Sequence, residues 1–345
     1  MEKHDKRTEI SQLGEFQLIE KLTKSFIPQN KTTIKAVGDD AAVIDIGNGN
    51  CMVMTTDMVV ENIHFDLAYA PLKHVGYKAA VVNLSDVYAM NAQPQQITVS
   101  IAISNRFSVE ALTELYEGVK AACKQYGVDL VGGDTTSSLK GMYISVTAVG
   151  QCKRDEVVYR NTACVNDVIV VSGELGGAYL GLQVLEREKE VFLADPNMKP
   201  DFLNAEYLVE RALKPEARKD IITLFDKENV KPSSMIDISD GLSSEMLHIC
   251  GQSKVGCLLY DEKIPINPQA YNQAVSFNID PLNCALSGGD EYELLFTMPP
   301  DDFEKIKNKA DITAIGAITP ISKGRKIMTK GGNIYELQAL GWKHF

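Results

Sequence analysis

At 345 residues, with 45% hydrophobic and 23% charged residues, the chain falls in the ordinary globular range and is long enough for two domains and a sizeable core. Its formal net charge of −11 repels a polyanion, and no Lys/Arg block offers a local exception, so nucleic acid is excluded as a partner. No window approaches the roughly 18 apolar residues of a membrane span, and the N-terminal MEKHDKRTEI lacks the apolar stretch of a signal peptide, which predicts a cytoplasmic protein with no membrane partner.

In chain order, Phe16, Ile19 and Leu22 set a helical spacing that stops before Pro28. Residues 43–46 and 51–54 read as short strands around Gly47-Asn48-Gly49, the second leading into Thr55-Thr56-Asp57. Val75, Ala79, Val82 and Met90 predict a helix over 75–90 whose other face carries Asn83 and Asp86. A strand at 97–103, a helix at 109–126 closed by Gly127, a short run at 129–131 ended by a Gly132-Gly133 break, and a strand at 142–149 complete a βαβαβ-like first half. The charged Lys153-Arg154-Asp155-Glu156 marks the expected junction, dividing residues 1–152 from 153–345. Beyond it, a strand at 168–171 passes through Gly173 and Gly176-Gly177 into a helix, two further helices flank Pro215, and a strand at 235–238 ends in Ser239-Asp240-Gly241. The final third reads as short strands with one helix near 302–309, and the fold class that follows is α/β.

The common nucleotide and hydrolase signatures are absent: no G-x-x-x-x-G-K-[ST], no G-x-G-x-x-G after a strand, no H-E-x-x-H and no G-x-S-x-G. Instead, acids recur where strands are expected to end: Gly38-Asp39-Asp40, Thr55-Thr56-Asp57, Asp86, Gly133-Asp134-Thr135-Thr136 and Asp237-Ile238-Ser239-Asp240. One acid beside Gly or Ser is ordinarily a turn or a helix cap. Five such clusters could bring four or more carboxylates together, which is costly unless cations neutralise them, and hard oxygen donors suit Mg²⁺ shared with the phosphates of ATP. The hydroxyls of Thr55, Thr56, Thr135 and Ser239 could complete metal shells or bind phosphate, and Gly132-Gly133 would let backbone amides approach closely. Gly173 to Gly177 reads first as a plain tight turn and second as a phosphate loop, and Arg160, which could reach a phosphate as a bidentate donor, is as a lone Arg more often a surface ion-pair partner. The seven cysteines are scattered without a C-x-x-C pair and read as reduced thiols.

At these residues the chain resembles the thiamine-monophosphate kinase family, within the superfamily that includes aminoimidazole ribonucleotide synthetase and selenophosphate synthetase. The matching segments run in family order: Gly14-Glu15-Phe16, Gly38-Asp39-Asp40-Ala41, Thr55-Thr56-Asp57, His64-Phe65, Lys78-Ala79 through Asp86, Gly132 to Thr136, Ile236 to Leu242, Ser287-Gly288-Gly289 and His344-Phe345. The resemblance implies a two-domain PurM-like α/β fold: residues 1–152 forming a mixed sheet with helices that binds ATP and Mg²⁺ and dimerises, and 153–345 an α/β domain completing the nucleotide and substrate site. It implies ATP-dependent phosphorylation of thiamine monophosphate in a homodimer. By position it implies Asp40, Thr55, Thr56, Asp57, Asp86, Asp134, Asp237 and Asp240 as metal ligands, with Asp57, Asp134 and Asp240 catalytic through them. Gly132, Gly133, Asp134, Arg160 and Ser239 would face the nucleotide. His64, Asp290, Trp342 and Phe345 would face the thiamine. The family's Glu-Asp-Tyr-Glu-Leu is here Asp290-Glu291-Tyr292-Glu293-Leu294, which leaves open whether Asp290 or Glu291 meets the substrate. The N-terminal segment has no Cys-containing glycine-rich loop, as a selenide enzyme would, and the chain ends in His344-Phe345 where a hydrogenase-maturation relative presents Cys.

Overall fold

The computed structural model describes residues 14–309 and 311–339. A first, six-stranded sheet holds β1 (Thr33–Lys35), β2 (Ala42–Gly47), β3 (Asn50–Val60), β4 (Gln93–Ile103), β5 (Asp129–Ser137) and β6 (Met142–Lys153) in the order β1-β2-β3-β6-β4-β5. Every neighbouring pair is antiparallel except β4 with β5. A second sheet holds β7 (Val168–Ser172), β8 (Ser234–Asp237), β9 (Gly256–Tyr260), β10 (Leu294–Met298), β11 (Ile312–Thr319), β12 (Arg325–Met328) and β13 (Ile334–Glu336) in the order β13-β12-β9-β11-β7-β10-β8, with β12 and β9 its parallel pair. The helices are α1 (Gly14–Thr23), α2 (Leu72–Ala89), α3 (Val109–Tyr126), α4 (Gly177–Ala194), α5 (Glu206–Leu213), α6 (Lys219–Glu228), α7 (Leu242–Ser253), α8 (Pro268–Ser276), α9 (Pro281–Ser287) and α10 (Pro300–Ile306). This is the α/β, PurM-like architecture that the resemblance implied.

The period-two alternation of β6, which buries Met142, Ile144, Val146 and Ala148, turns one face of the first sheet onto α2 and α3. α2 packs on β3 and β6 and also on β8 of the second sheet, so it is buried nearly all round. One continuous core therefore joins Val81 and Leu84 of α2 to Met235, Phe296 and Phe225 of the C-terminal half. α2 and α3 cross closely because neither has a side chain at the contact: a Cβ on Gly76 would lie 2.0 Å from the Leu115 carbonyl oxygen, and one on Gly118 1.9 Å from that of Lys73. Ser108 caps the start of α3, its Oγ accepting from the Ala111 N–H, and Gly127 ends it in the left-handed region.

The structure departs from the sequence reading in three places. The expected break at Gly132-Gly133 does not occur, because pairing with β4 continues from Asp129 to Ser137. The final third holds α7, α8 and α9 besides the helix at its end. Asp57 and Asp134 lie inside strands, not at their ends.

Candidate active site

The site is assembled along α2. Asp86 comes from its C-terminal part, Asp40 from the turn before β2, and Asp237 from the end of β8. One carboxylate oxygen of each lies within 4.8 Å of the others. Each is oriented by a partner: Thr55 Oγ1 donates to Asp86 Oδ2 at 2.6 Å, Ser85 Oγ donates to Asp237 Oδ2 at 2.6 Å, and Arg160 donates to both Asp40 oxygens, from Nε at 2.9 Å and Nη2 at 2.5 Å. The Asp57 N–H donates to Asn83 Oδ1 at 2.9 Å, which pins the middle of β3 to the same helix.

Three carboxylates this close in a buried site disfavour one another's charge. Burial, then the neighbouring Asp57, pushes Asp86 well above the usual carboxylate range. Burial and Asp40 push Asp237 up to about 8. Burial disfavours the charge of Arg160, but Asp40 and Asp39 more than compensate and hold it cationic. Burial and Arg160 push His248 down to about 4. Glu245, buried in the first turn of α7, accepts the Asp240 N–H at 2.9 Å and is itself raised well above its ordinary range by burial and Asp240. Hard oxygen donors that repel one another fit a divalent cation such as Mg²⁺.

A second group lies two turns toward the start of α2. Lys78 Nζ donates to Asp290 Oδ2 at 2.7 Å, and the Tyr292 hydroxyl donates to Asp290 Oδ1 at 2.8 Å. Burial would raise the Asp290 carboxyl, but Lys78 and the Tyr292 hydrogen bond outweigh it and hold it below its ordinary value. His64 Nδ1 accepts the Val60 N–H at 3.0 Å, which puts the neutral ring's proton on Nε2, and His64 also favours the Asp290 charge. Asp290 and Tyr292 both occupy the left-handed region, with φ of 63° and 55°, strain concentrated where Asp290 is presented. The Asp290 N–H donates to the Ser239 carbonyl at 2.8 Å, and a Cβ on Gly289 would lie 2.4 Å from that oxygen, so the two loops bearing Ser239 and Asp290 lock together only with glycine there.

Asp290 and Glu291 face different environments. The Asp290 side chain is 42% exposed, whereas that of Glu291 is 0% exposed, accepting from Arg211 Nη2 at 2.7 Å and from the Ala178 N–H at 3.1 Å. Glu293 accepts from Arg211, Arg218 and Ser172. The start of α4 thus already holds a carboxylate, and the Gly173 to Gly177 segment is a turn.

Of the other predicted residues, Thr56 Oγ1 donates to the Val146 carbonyl at 3.0 Å. Arg160 is engaged with Asp40, an ion pair within the site. Gly132, Gly133 and Asp134 lie on the exposed edge strand β5, where Asp134 pairs in register with Ser100, three strands from β3, or about 14 Å. Asp134 is not one of the three convergent carboxylates. Trp342 and Phe345 lie outside the described residues. The sequence reading assigned no role to Lys78, Ser85 or Glu245; their signal was a charge or hydroxyl amid an otherwise apolar helix surface, which needs the fold to be interpreted.

Known proteins resemble the chain along its length. Residues 38–152 match the family model described as AIR synthase related protein, N-terminal domain. The chain is 33% identical to the thiamine-monophosphate kinase of Aquifex aeolicus over 97% of this chain and 99% of that one, and 29% identical to that of Bacillus subtilis over 96% and 100%. A solved structure described as AaThiL complexed with AMPPCP and TMP is 30% identical and superposes with a TM-score of 0.83 over 99% of this chain and 100% of that one. On this likeness, carried over its whole length, the chain belongs to the thiamine-monophosphate kinase family.

Proposed function

We propose that the chain transfers the γ-phosphoryl group of ATP to thiamine monophosphate, giving thiamine diphosphate and ADP. The observation that carries this reading is the convergence of Asp40, Asp86 and Asp237 near one end of α2, with the solvent-facing Asp290 paired to Lys78 two turns earlier on the same helix. A structural relative described with both an ATP analogue and TMP supports it.

In this reading Asp40, Asp86 and Asp237, joined by Asp57, Asp240, Thr55 and Thr56, would hold Mg²⁺, which when bound supplies charge neutralisation for the polyphosphate. A terminal oxygen of the acceptor phosphate forms a bond to the γ-phosphorus as the bridging β–γ oxygen leaves with ADP. A phosphate monoester loses its second proton near pH 6, so the attacking oxygen is already ionised and the chain need supply no base. Transfer is direct, without a phosphoenzyme. Arg160 aims Asp40, and Ser85 and Thr55 aim Asp237 and Asp86. Asp290, with His64 beside it, is assigned to the cationic thiazolium, and Ser239, Arg160, Asp134 and Gly132-Gly133 to the nucleotide side. Residues 1–152 would bind ATP and Mg²⁺ and dimerise, and 153–345 would complete the nucleotide and substrate site.

We assign the exposed edge of β5, which carries Leu130 and Val131, to contact with a second copy in a homodimer. The deciding assay supplies purified protein with ATP, Mg²⁺ and thiamine monophosphate and follows thiamine diphosphate. Product formed in proportion to ADP supports the reading, whereas ADP release indifferent to thiamine monophosphate overturns it. Light scattering should give twice the 37.9 kDa chain mass.

A further inference from the structure

Lys78 is 7% exposed and has one hydrogen-bond partner among the described residues, Asp290 Oδ2. An ammonium carries three donors. The other cations near the site are committed more fully: Arg160 donates to both oxygens of Asp40, and Arg211 spans Glu291 and Glu293. Asp290, by contrast, opens its carboxylate to solvent, 42% exposed, while its cationic partner is buried. Lys78 precedes Asp86 by eight residues, about 12 Å along the helix axis, so the pair with Asp290 and the carboxylate trio are served by one helix.

A buried cation paired with an open anion is the charge complement of a ligand that carries a cation and an anion of its own. Resting on the function proposed above, we infer that thiamine monophosphate splits the Lys78–Asp290 pair, its thiazolium taking Asp290 and its phosphate taking Lys78, so that Lys78 makes the enzyme select phosphorylated over free thiamine. The exchange replaces one internal ion pair by two ligand pairs and leaves no charge uncompensated. Free thiamine offers only the cation. Taking Asp290 would leave the buried Lys78 ammonium without a counter-ion and beside a like charge, the arrangement that penalises a buried pair most when one partner is removed. A site that loses a charged partner in this way rejects the wrong ligand far better than one that merely loses contact area.

The test is titration calorimetry of thiamine monophosphate, thiamine and a non-hydrolysable ATP analogue with Mg²⁺ into the wild type, Lys78→Met, Lys78→Arg and Asp290→Asn. Lys78→Met should weaken thiamine monophosphate about 10- to 100-fold, the size of one charged hydrogen-bonded contact, and leave thiamine unchanged or tighter. Asp290→Asn should weaken both thiamine ligands. Lys78→Arg should keep the preference for the phosphorylated form. Unchanged binding of the ATP analogue reports that Lys78→Met is folded; should it fail, Lys78→Gln, of similar length and polar, carries the same comparison. Equal weakening of thiamine and thiamine monophosphate by Lys78→Met would mean the pair is only a staple between the two halves and overturns the inference. So would Lys78→Met binding thiamine monophosphate as well as the wild type does. A wild type that binds no thiamine monophosphate overturns the proposed function itself, a different result from either.

Discussion

At the residue scale, the carboxylates of the trio are held together against their own repulsion, and that makes their separate effects on folding and turnover distinguishable. Asp237→Asn removes one charge from a site that disfavours it, and Ser85 can still donate to the amide oxygen. The variant should melt, free of metal, no lower than the wild type, lose the thermal shift that Mg²⁺ induces, and turn over at least about 100-fold more slowly. Calorimetry with and without EDTA, beside steady-state rates, checks all three. The acids themselves were legible in the sequence because each stands beside Gly, Ser or Thr and the pattern repeats. Their orienting partners were not: Thr55 with Asp86 and Ser85 with Asp237 are 31 and 152 residues apart, and only the fold pairs them. Asp57 and Asp134 were placed at strand ends because carboxylates usually avoid strand interiors. Both lie on exposed positions within strands, where water or a cation can reach them.

At the element scale, the α2–α3 crossing fixes how deeply α2 sits against the first sheet. Gly118→Ala would drive a methyl group into the Lys73 carbonyl, one turn before Lys78, and should destabilise the chain by about 1–3 kcal/mol or more in urea unfolding while weakening substrate binding. The reach of the sequence reading varied by element for physical reasons. α3 was read to its ends because its apolar spacing is regular and Gly127 marks its close. α8 and α9, of 9 and 7 residues, are too short for a helical period to register, even though each begins with a capping Asn or Asp followed by Pro. α7 was passed over although its signal was present: Leu242, Met246, Ile249 and Cys250 keep a helical spacing and are all buried. β5 continues through Gly132-Gly133 because β4 supplies the pairing that the glycines lack as a propensity.

At the scale of the whole molecule, an acidic chain that binds two anions should depend on pH and metal jointly. Asp86 and Asp237 bind protons more tightly in the folded chain than in the unfolded one, where such groups titrate near 3.9. The stability they contribute is therefore fully present below about pH 4 and is lost as pH rises through about 8, the folded value of Asp237. Metal-free protein should melt lower at pH 8 than at pH 6, and the stabilisation by Mg²⁺ should grow over the same interval as protons cease to compete. Melting curves at pH 6, 7 and 8 in EDTA and in Mg²⁺ test the sign directly. The placing of Lys78 and Asp86 on the one helix α2 has a separate mechanical consequence. Asp86 and Lys78 are rungs of one rod, so the gauge between them is set by helical rise and not by how the two sheets tilt.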